Sequence, residues 1–102
     1  MSTRRILEMA TIDAARSLGL GDVVGSLTPG KRADLIMVRT RDVATAPRTD
    51  VPNLLALAAG AENVDTVMVD GRIRKRHGRL VDIDEASVVR ETEAALQALL
   101  AR

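Results

Sequence analysis

The sequence predicts an α+β fold: a small, mostly antiparallel sheet, with helices before it and one amphipathic helix after it. Three observations carry this. Thr28-Pro29-Gly30-Lys31 fits a type II turn, since proline presets φ at about −65° and glycine accepts the positive φ that follows. Asp70-Gly71 lies between two strand-like runs and suits a two-residue type I′ hairpin. Val88, Val89, Ala95, Leu96, Leu99 and Leu100 recur at helical spacing, while Arg90, Glu91, Glu93 and Gln97 fall outside that stripe.

Taken in order, Ser2 or Thr3 caps a first helix over Arg4 to Ala10. Thr11 caps a second over Ile12 to Leu18, with Gly19 at the left-handed C′ position and Leu20 folding back apolarly. Strands are expected at Val23–Leu27 and Asp34–Arg39, on either side of the Pro29-Gly30 turn, with Gly25 bending the first. Arg39 to Pro52 is polar, contains Pro47 and Pro52, and reads as a loop. Asn53 to Ala59 suits a short helix that Gly60 ends.

Two further strands follow, Asp65–Asp70 and Arg72–His77. A two-residue hairpin would set Met68 against Ile73 and Val64 against His77 on one face. On the other face Val67 would meet Arg74 and Asp65 would meet Arg76. The second of these strands is so polar that an edge position suits it. Gly78 breaks it, and Arg79 to Asp82 can add a short extension. Asp84 caps the last helix, from Glu85 to about Ala101, whose apolar stripe is expected against the body of the domain.

The chain has 102 residues and so holds one domain at most, while an eight-stranded barrel enzyme needs about 250. It has no Cys, which excludes disulfides and thiol chemistry and fits a reducing cytoplasm. The first residues contain no continuous apolar run of the signal-peptide kind, and no segment is apolar enough to span a membrane. A net charge of +1 implies no polyanionic partner. Phe, Tyr and Trp are all absent, so aliphatic side chains must fill the interior thinly, and a partner surface would help.

The order of residues between Gly25 and Val38, Gly-Ser-Leu-Thr-Pro-Gly-Lys-Arg-Ala-Asp-Leu-Ile-Met-Val, resembles a signature near the C-terminus of the amidohydrolase superfamily. That signature reads Gly-Ser-[Ile/Leu]-x-x-Gly-Lys-x-Ala-Asp-[Leu/Ile]. Met9 to Leu20 is similar to the family's Ala-Thr-x-x-Ala-Ala-Arg-x-Leu-Gly segment, and Val64 to Ile73 to its late Val-x-x-Val-[hydrophobic]-Val-x-Gly hairpin. The resemblance is nearest to cytosine-deaminase-like and chlorohydrolase-like members, metal-dependent hydrolases of non-peptide C–N bonds. It implies that residues 1–20 are the last barrel-type helical segment. Residues 21–102 would be a partial β-sandwich with its C-terminal helix.

The same resemblance implies that the catalytic machinery lies elsewhere. The family draws its metal ligands from a His-x-His pair, later histidines and an aspartate ending the eighth barrel strand. The single histidine here, His77, matches none of these positions. A hydrolytic zinc site needs about three protein ligands and an open position for water. We therefore assign no catalytic, cofactor-binding or metal-binding residue to this chain. The divalent metal, zinc or iron, belongs to the full-length enzyme.

Other candidates have ordinary explanations. The basic run Arg72 to Arg79 has no aromatic stacking partner and acidic residues close behind, so it reads as a solvated strand and not as a nucleic-acid site. Gly25, Gly30 and Lys31 do not have phosphate-loop spacing and read as a turn. Asp34 reads as a structural residue that accepts bonds from nearby backbone amides. Asp82, Asp84 and Glu85 read as capping residues.

Two functional classes follow. One is a C-terminal fragment of an amidohydrolase, non-catalytic by itself. The other is a stand-alone interaction or oligomerisation module. Expected partners are the barrel portion of the enzyme or a second copy of the chain. A second copy would pair through the Ile6–Leu18 helices or the Ala33–Val38 strand edge.

Overall fold

A computed structural model describes residues 1–41 and 50–102. Helix α1 spans Thr3–Ala10, and the Ser2 side chain accepts from the Arg5 N–H at 3.2 Å, satisfying one of the free donors of the first turn. Thr3 has another use: its hydroxyl donates to Asn53 Oδ1 at 2.6 Å. Helix α2 spans Ile12–Ser17. Thr11 does not cap it, because its hydroxyl bonds back to the Leu7 carbonyl at 2.7 Å.

The end of α2 is as expected. Gly19 has φ +72°. Its N–H bonds the Arg16 carbonyl at 3.0 Å, and the Leu20 N–H bonds the Ala15 carbonyl at 2.8 Å. That pair of bonds is a Schellman motif. The apolar fold-back of Leu20 is only partial, since 43% of the residue stays exposed.

The strand expected at Val23–Leu27 does not form. Val23 and Val24 both donate to the Leu20 carbonyl, at 2.9 and 3.0 Å, and the Val23 carbonyl accepts from Arg32 N–H at 2.9 Å. The backbone there is committed to local turns and cannot join a ladder. The Thr28–Lys31 turn itself is present, with Lys31 N–H on the Thr28 carbonyl at 3.1 Å and Gly30 at φ +94°.

Of the predicted loop, residues 42–49 lie outside the described residues. Pro52 proves to be helical: α3, Val51–Asn53, starts on an Asp50 cap, and a proline in the first turn loses no bond. The expected Asn53–Ala59 helix continues as a π-turn over Leu54–Ala58, and a short 3₁₀ turn, Ala61–Asn63, leads into the sheet. Helix α1 packs against α2, α3 and the π-turn.

The sheet has four antiparallel strands in chain order: β1 Leu35–Val38, β2 Val64–Val69, β3 Arg72–Arg76 and β4 Arg79–Leu80. The β2–β3 turn has Asp70 at φ +50° and Gly71 at φ +77°, the type I′ geometry. Met68 faces Ile73 as expected, with Val69 facing Arg72 beside the turn, but Val67 then meets Lys75. The pairings Val67–Arg74, Asp65–Arg76 and Val64–His77 do not form, because the register shifts between Val67 and Met68 and leaves Arg74 unpaired as a bulge. The Arg74 carbonyl is taken instead by Val81 N–H at 2.9 Å.

Strand β3 is not the edge. His77 (φ +52°) and Gly78 (φ +77°) make a second tight turn, which lays β4 beside it. The described sheet therefore ends at β1 on one side and at the short β4 on the other.

Helix α4, Glu85–Leu100, begins on Asp84, whose carboxylate accepts from Ser87 N–H at 3.3 Å. Its apolar stripe does not lie against the body. None of its residues is buried, and Leu96 and Leu99 are 52% and 64% exposed. The molecule measures 51 × 36 × 26 Å with a radius of gyration of 17.6 Å, where about 13 Å is usual for this length. Among the described residues, the buried apolar side chains come down to Ala15 and Leu54. No helix among the described residues is long and apolar enough to cross a membrane.

Candidate functional site

The Gly25–Asp34 segment is where the chain makes its densest cross-ties. Gly25 has φ +97°, and a Cβ there would sit 2.7 Å from Ala15 Cβ and 3.0 Å from Ile12 Cα. Only glycine lets this backbone lie flat on α2. Lys31 reaches back with its ammonium group to the Gly21 carbonyl at 2.5 Å and the Val24 carbonyl at 3.4 Å. It closes a loop and holds no phosphate-loop geometry. Ser26 and Thr28 hydroxyls bond each other at 2.8 Å.

Asp34 ties this segment to the β2–β3 turn. Its Oδ1 accepts from Asp70 N–H at 2.6 Å, while the Ala33 carbonyl accepts from Gly71 N–H at 3.0 Å. Both residues of the hairpin turn are thus held by the Ala-Asp pair of the signature. Arg32 adds a long ion pair to Asp70 at 4.0 Å, exposed and worth little. The structural role read for Asp34 is observed, with its partner 36 residues away in sequence.

A second polar cluster went unnoticed at the level of sequence. Asp65 accepts from the Thr66 hydroxyl at 2.8 Å and lies 3.5 Å from the Arg39 guanidinium and 3.9 Å from His77 Nδ1. The Thr66 bond first, and the charges of His77 and Arg39 after it, hold this carboxyl below its ordinary pKa, with partial burial opposing. Arg39 also donates to the Glu62 carbonyl, and its own N–H bonds the Asn63 carbonyl at 2.7 Å. Asn63 is fully buried and accepts from Gly60 N–H at 2.8 Å. The shifted register brings Asp65 opposite His77, so no pairing rule without the bulge would have assembled this cluster.

None of these groupings fits a metal. Among the described residues no three His, Cys, Asp or Glu side chains gather where they could hold an ion. The imidazole of His77 is 85% exposed with one carboxylate nearby. Asp84 caps α4, Glu85 accepts from Leu80 N–H at 3.5 Å, and Asp82 sits at a turn with φ +62°. Arg72, Arg74, Arg76 and Arg79 line the exposed side of β3 and β4 and form no ion pair among the described residues. The observed groupings tie elements to one another, and the stripe of α4 lies open beside them.

Against known proteins, the profile of the amidohydrolase family matches residues 1–74. The chain is 40% identical, over 95 residues, to the 5-methylthioadenosine/S-adenosylhomocysteine deaminase of Desulforudis audaxviator strain MP104C; the match takes in 93% of this chain and 22% of that protein. It is 36% identical over 102 residues to the 5'-deoxyadenosine deaminase of Methanosarcina mazei, covering 100% of this chain and 23% of that one. The structure superposes on an adenosine deaminase from Xanthomonas campestris with bound zinc at a TM-score of 0.93 and 32% identity, over 99% of this chain and 23% of the other. The chain thus spans less than a quarter of the length of these relatives.

Proposed function

Because this chain belongs to the amidohydrolase family, we propose that it is the C-terminal, non-catalytic portion of a hydrolase acting on non-peptide carbon–nitrogen bonds. The observation that carries this reading is the superposition of 99% of the chain on 23% of a zinc-bearing deaminase, at a TM-score of 0.93. Its substrate class in this proposal is an adenine nucleoside, losing the ring amine as ammonia, since the named relatives share that feature. A divalent metal, zinc or iron, supplies water activation in such an enzyme, and its ligands lie outside this chain.

What this chain contributes is support. Gly25, Lys31 and Asp34 fix the path from the helical segment into the sheet, so that elements far apart in sequence stay in register. Its partners are the barrel portion of the enzyme or a second copy, and its compartment the cytoplasm, in keeping with a sequence that has no Cys. A second reading, a stand-alone interaction module, is favoured by the open α4 stripe alone.

The test uses the purified chain and a chimera in which it replaces the matching segment of the Xanthomonas campestris adenosine deaminase. Ammonia release from adenosine is expected from the zinc-loaded chimera and not from the chain alone, with or without zinc. Metal-dependent turnover by the purified chain would overturn the proposal.

A further inference from the structure

We propose that Asp70-Gly71 is a latent site of backbone isomerisation, kept closed by the Ala33-Asp34 pair, which holds both amides of the turn. This rests on the fold of the chain itself and not on the functional reading above. Asp70-Gly71 is the one Asp-Gly pair in the sequence, and there is no Asn-Gly. In such a pair the glycine nitrogen can attack the aspartate's own carboxyl group, because glycine has no Cβ to hinder the approach.

In the first step a bond forms between the Gly71 nitrogen and Asp70 Cγ. The Cγ–O bond of the protonated carboxyl breaks, and the amide proton leaves with that hydroxyl as water. The product is a succinimide ring, which water then opens at either carbonyl. Addition at Cγ restores Asp70. Addition at the main-chain carbonyl leaves the chain running through the side chain, as isoaspartate of unchanged mass. No oxidant, reductant or cofactor enters. The new linkage carries one more backbone carbon, for which a two-residue turn has no room, so the Val69–Arg72 and Met68–Ile73 pairings would be lost with it.

Exposure favours this reaction and backbone geometry opposes it. The Asp70 side chain is 67% exposed, and a Cβ built on Gly71 would meet no described atom within 4 Å. Packing therefore does not shield the pair from water. Ring closure needs the Gly71 nitrogen swung to the same side as Asp70 Cβ. The type I′ turn, with Asp70 at φ +50°, sets its ψ at about +30°, which leaves that nitrogen nearly opposite Cβ. Two bonds lock this arrangement. Gly71 N–H donates to the Ala33 carbonyl at 3.0 Å, which keeps base from the proton that must leave. Asp70 N–H donates to Asp34 Oδ1 at 2.6 Å, and with both amides held ψ cannot turn. The reaction has to wait for a local opening of the turn.

The experiment incubates the purified chain at neutral pH, folded in buffer and unfolded in guanidinium chloride, and follows isoaspartate at position 70 by peptide mapping and mass spectrometry. Heavy-oxygen water in the buffer marks the molecules that have passed through the succinimide. The unfolded chain is expected to isomerise at least about tenfold faster than the folded one. Equal rates would overturn the proposal, and this comparison needs no variant, so it decides even where a variant does not fold. Asp34→Ala, folded by circular dichroism, should isomerise about fivefold faster than the parent, the population change that loss of one such bond carries. Asp34→Asn keeps the acceptor and should stay near the parent rate. Ser2→Ala removes the α1 cap at a similar cost in stability and should also stay near it. An Asp34→Ala chain no faster than the parent would overturn the clamp. Equal acceleration by Asp34→Ala and Ser2→Ala would overturn it too, because global unfolding would then be the route.

Discussion

The Gly25–Asp34 connection and helix α4 stand at opposite ends of one scale. The connection has almost no regular secondary structure, yet nearly every turn of it is tied, by Lys31 to two carbonyls, by Arg32 to Val23, and by Ala33-Asp34 to the hairpin. Helix α4 is regular over 16 residues, none of them buried, and meets the body at its start, where Glu85 accepts from Leu80 N–H. Regularity and integration are separate properties. A helical pattern says which residues share a face, and only tertiary contacts say whether that face is used.

That contrast can be broken most forcefully at Gly25. Replacing it with Val forces a β-carbon onto Ala15 and the Ile12 backbone at φ +97°. A left-handed side chain costs about 1–2 kcal/mol and overpacking about 1–3 kcal/mol more, a large part of a small domain's stability. Urea denaturation followed by circular dichroism should show the variant mostly unfolded in buffer. A variant as stable as the parent would mean that this contact is not held in solution.

The next effect is at Asp34. Asp34→Ala removes the acceptor of Asp70 N–H, and because the bond is exposed the expected loss is about 1 kcal/mol. The urea midpoint should fall with an unchanged slope. A change of slope instead would report a different unfolded ensemble.

A smaller effect is tied to pH. Asp65 has its carboxyl pKa lowered in the fold, chiefly by the Thr66 hydroxyl. A depressed carboxylate stabilises the fold above its ordinary, unfolded pKa, and that contribution is lost as pH falls through the folded value. Thr66→Val should therefore flatten the acid limb of the stability curve below about pH 4. An acid limb identical to the parent's would remove Thr66 from the account. The smallest effect is expected for Leu96→Asp in the isolated chain, within about 0.5 kcal/mol, as for any open surface position.

Much of this could be read from residue order. The Ser2 cap, the Gly19 terminus, the Pro29-Gly30 and Asp70-Gly71 turns and the Asp84 cap each rest on one or two residues whose local chemistry has a single good solution. What could not be read depends on competition between distant groups. Val23–Leu27 has strand-like composition, but the Leu20, Val23 and Val24 carbonyls are claimed by turns and by Lys31. The hairpin register is legible at Met68–Ile73 and is lost at the Arg74 bulge, whose carbonyl is taken by Val81 N–H just past β4. Thr11 offered a cap and spent its hydroxyl on Leu7. The stripe on α4 is legible as a face, but its exposure is not, because periodicity carries no information about what packs against it. Asp34 was legible as structural, but not its bond to a turn 36 residues on.

Native-state hydrogen exchange of the isolated chain tests the central contrast most directly. The amides of Arg39 and Gly71, bonded to Asn63 and Ala33 across the fold, should be among the slowest. The amides of α4 from Val88 to Leu99 should exchange at least roughly tenfold faster, as a helix held only by its own bonds does. Equal protection in α4 and in the hairpin would contradict the account, because it would mean that the stripe is covered within the chain itself.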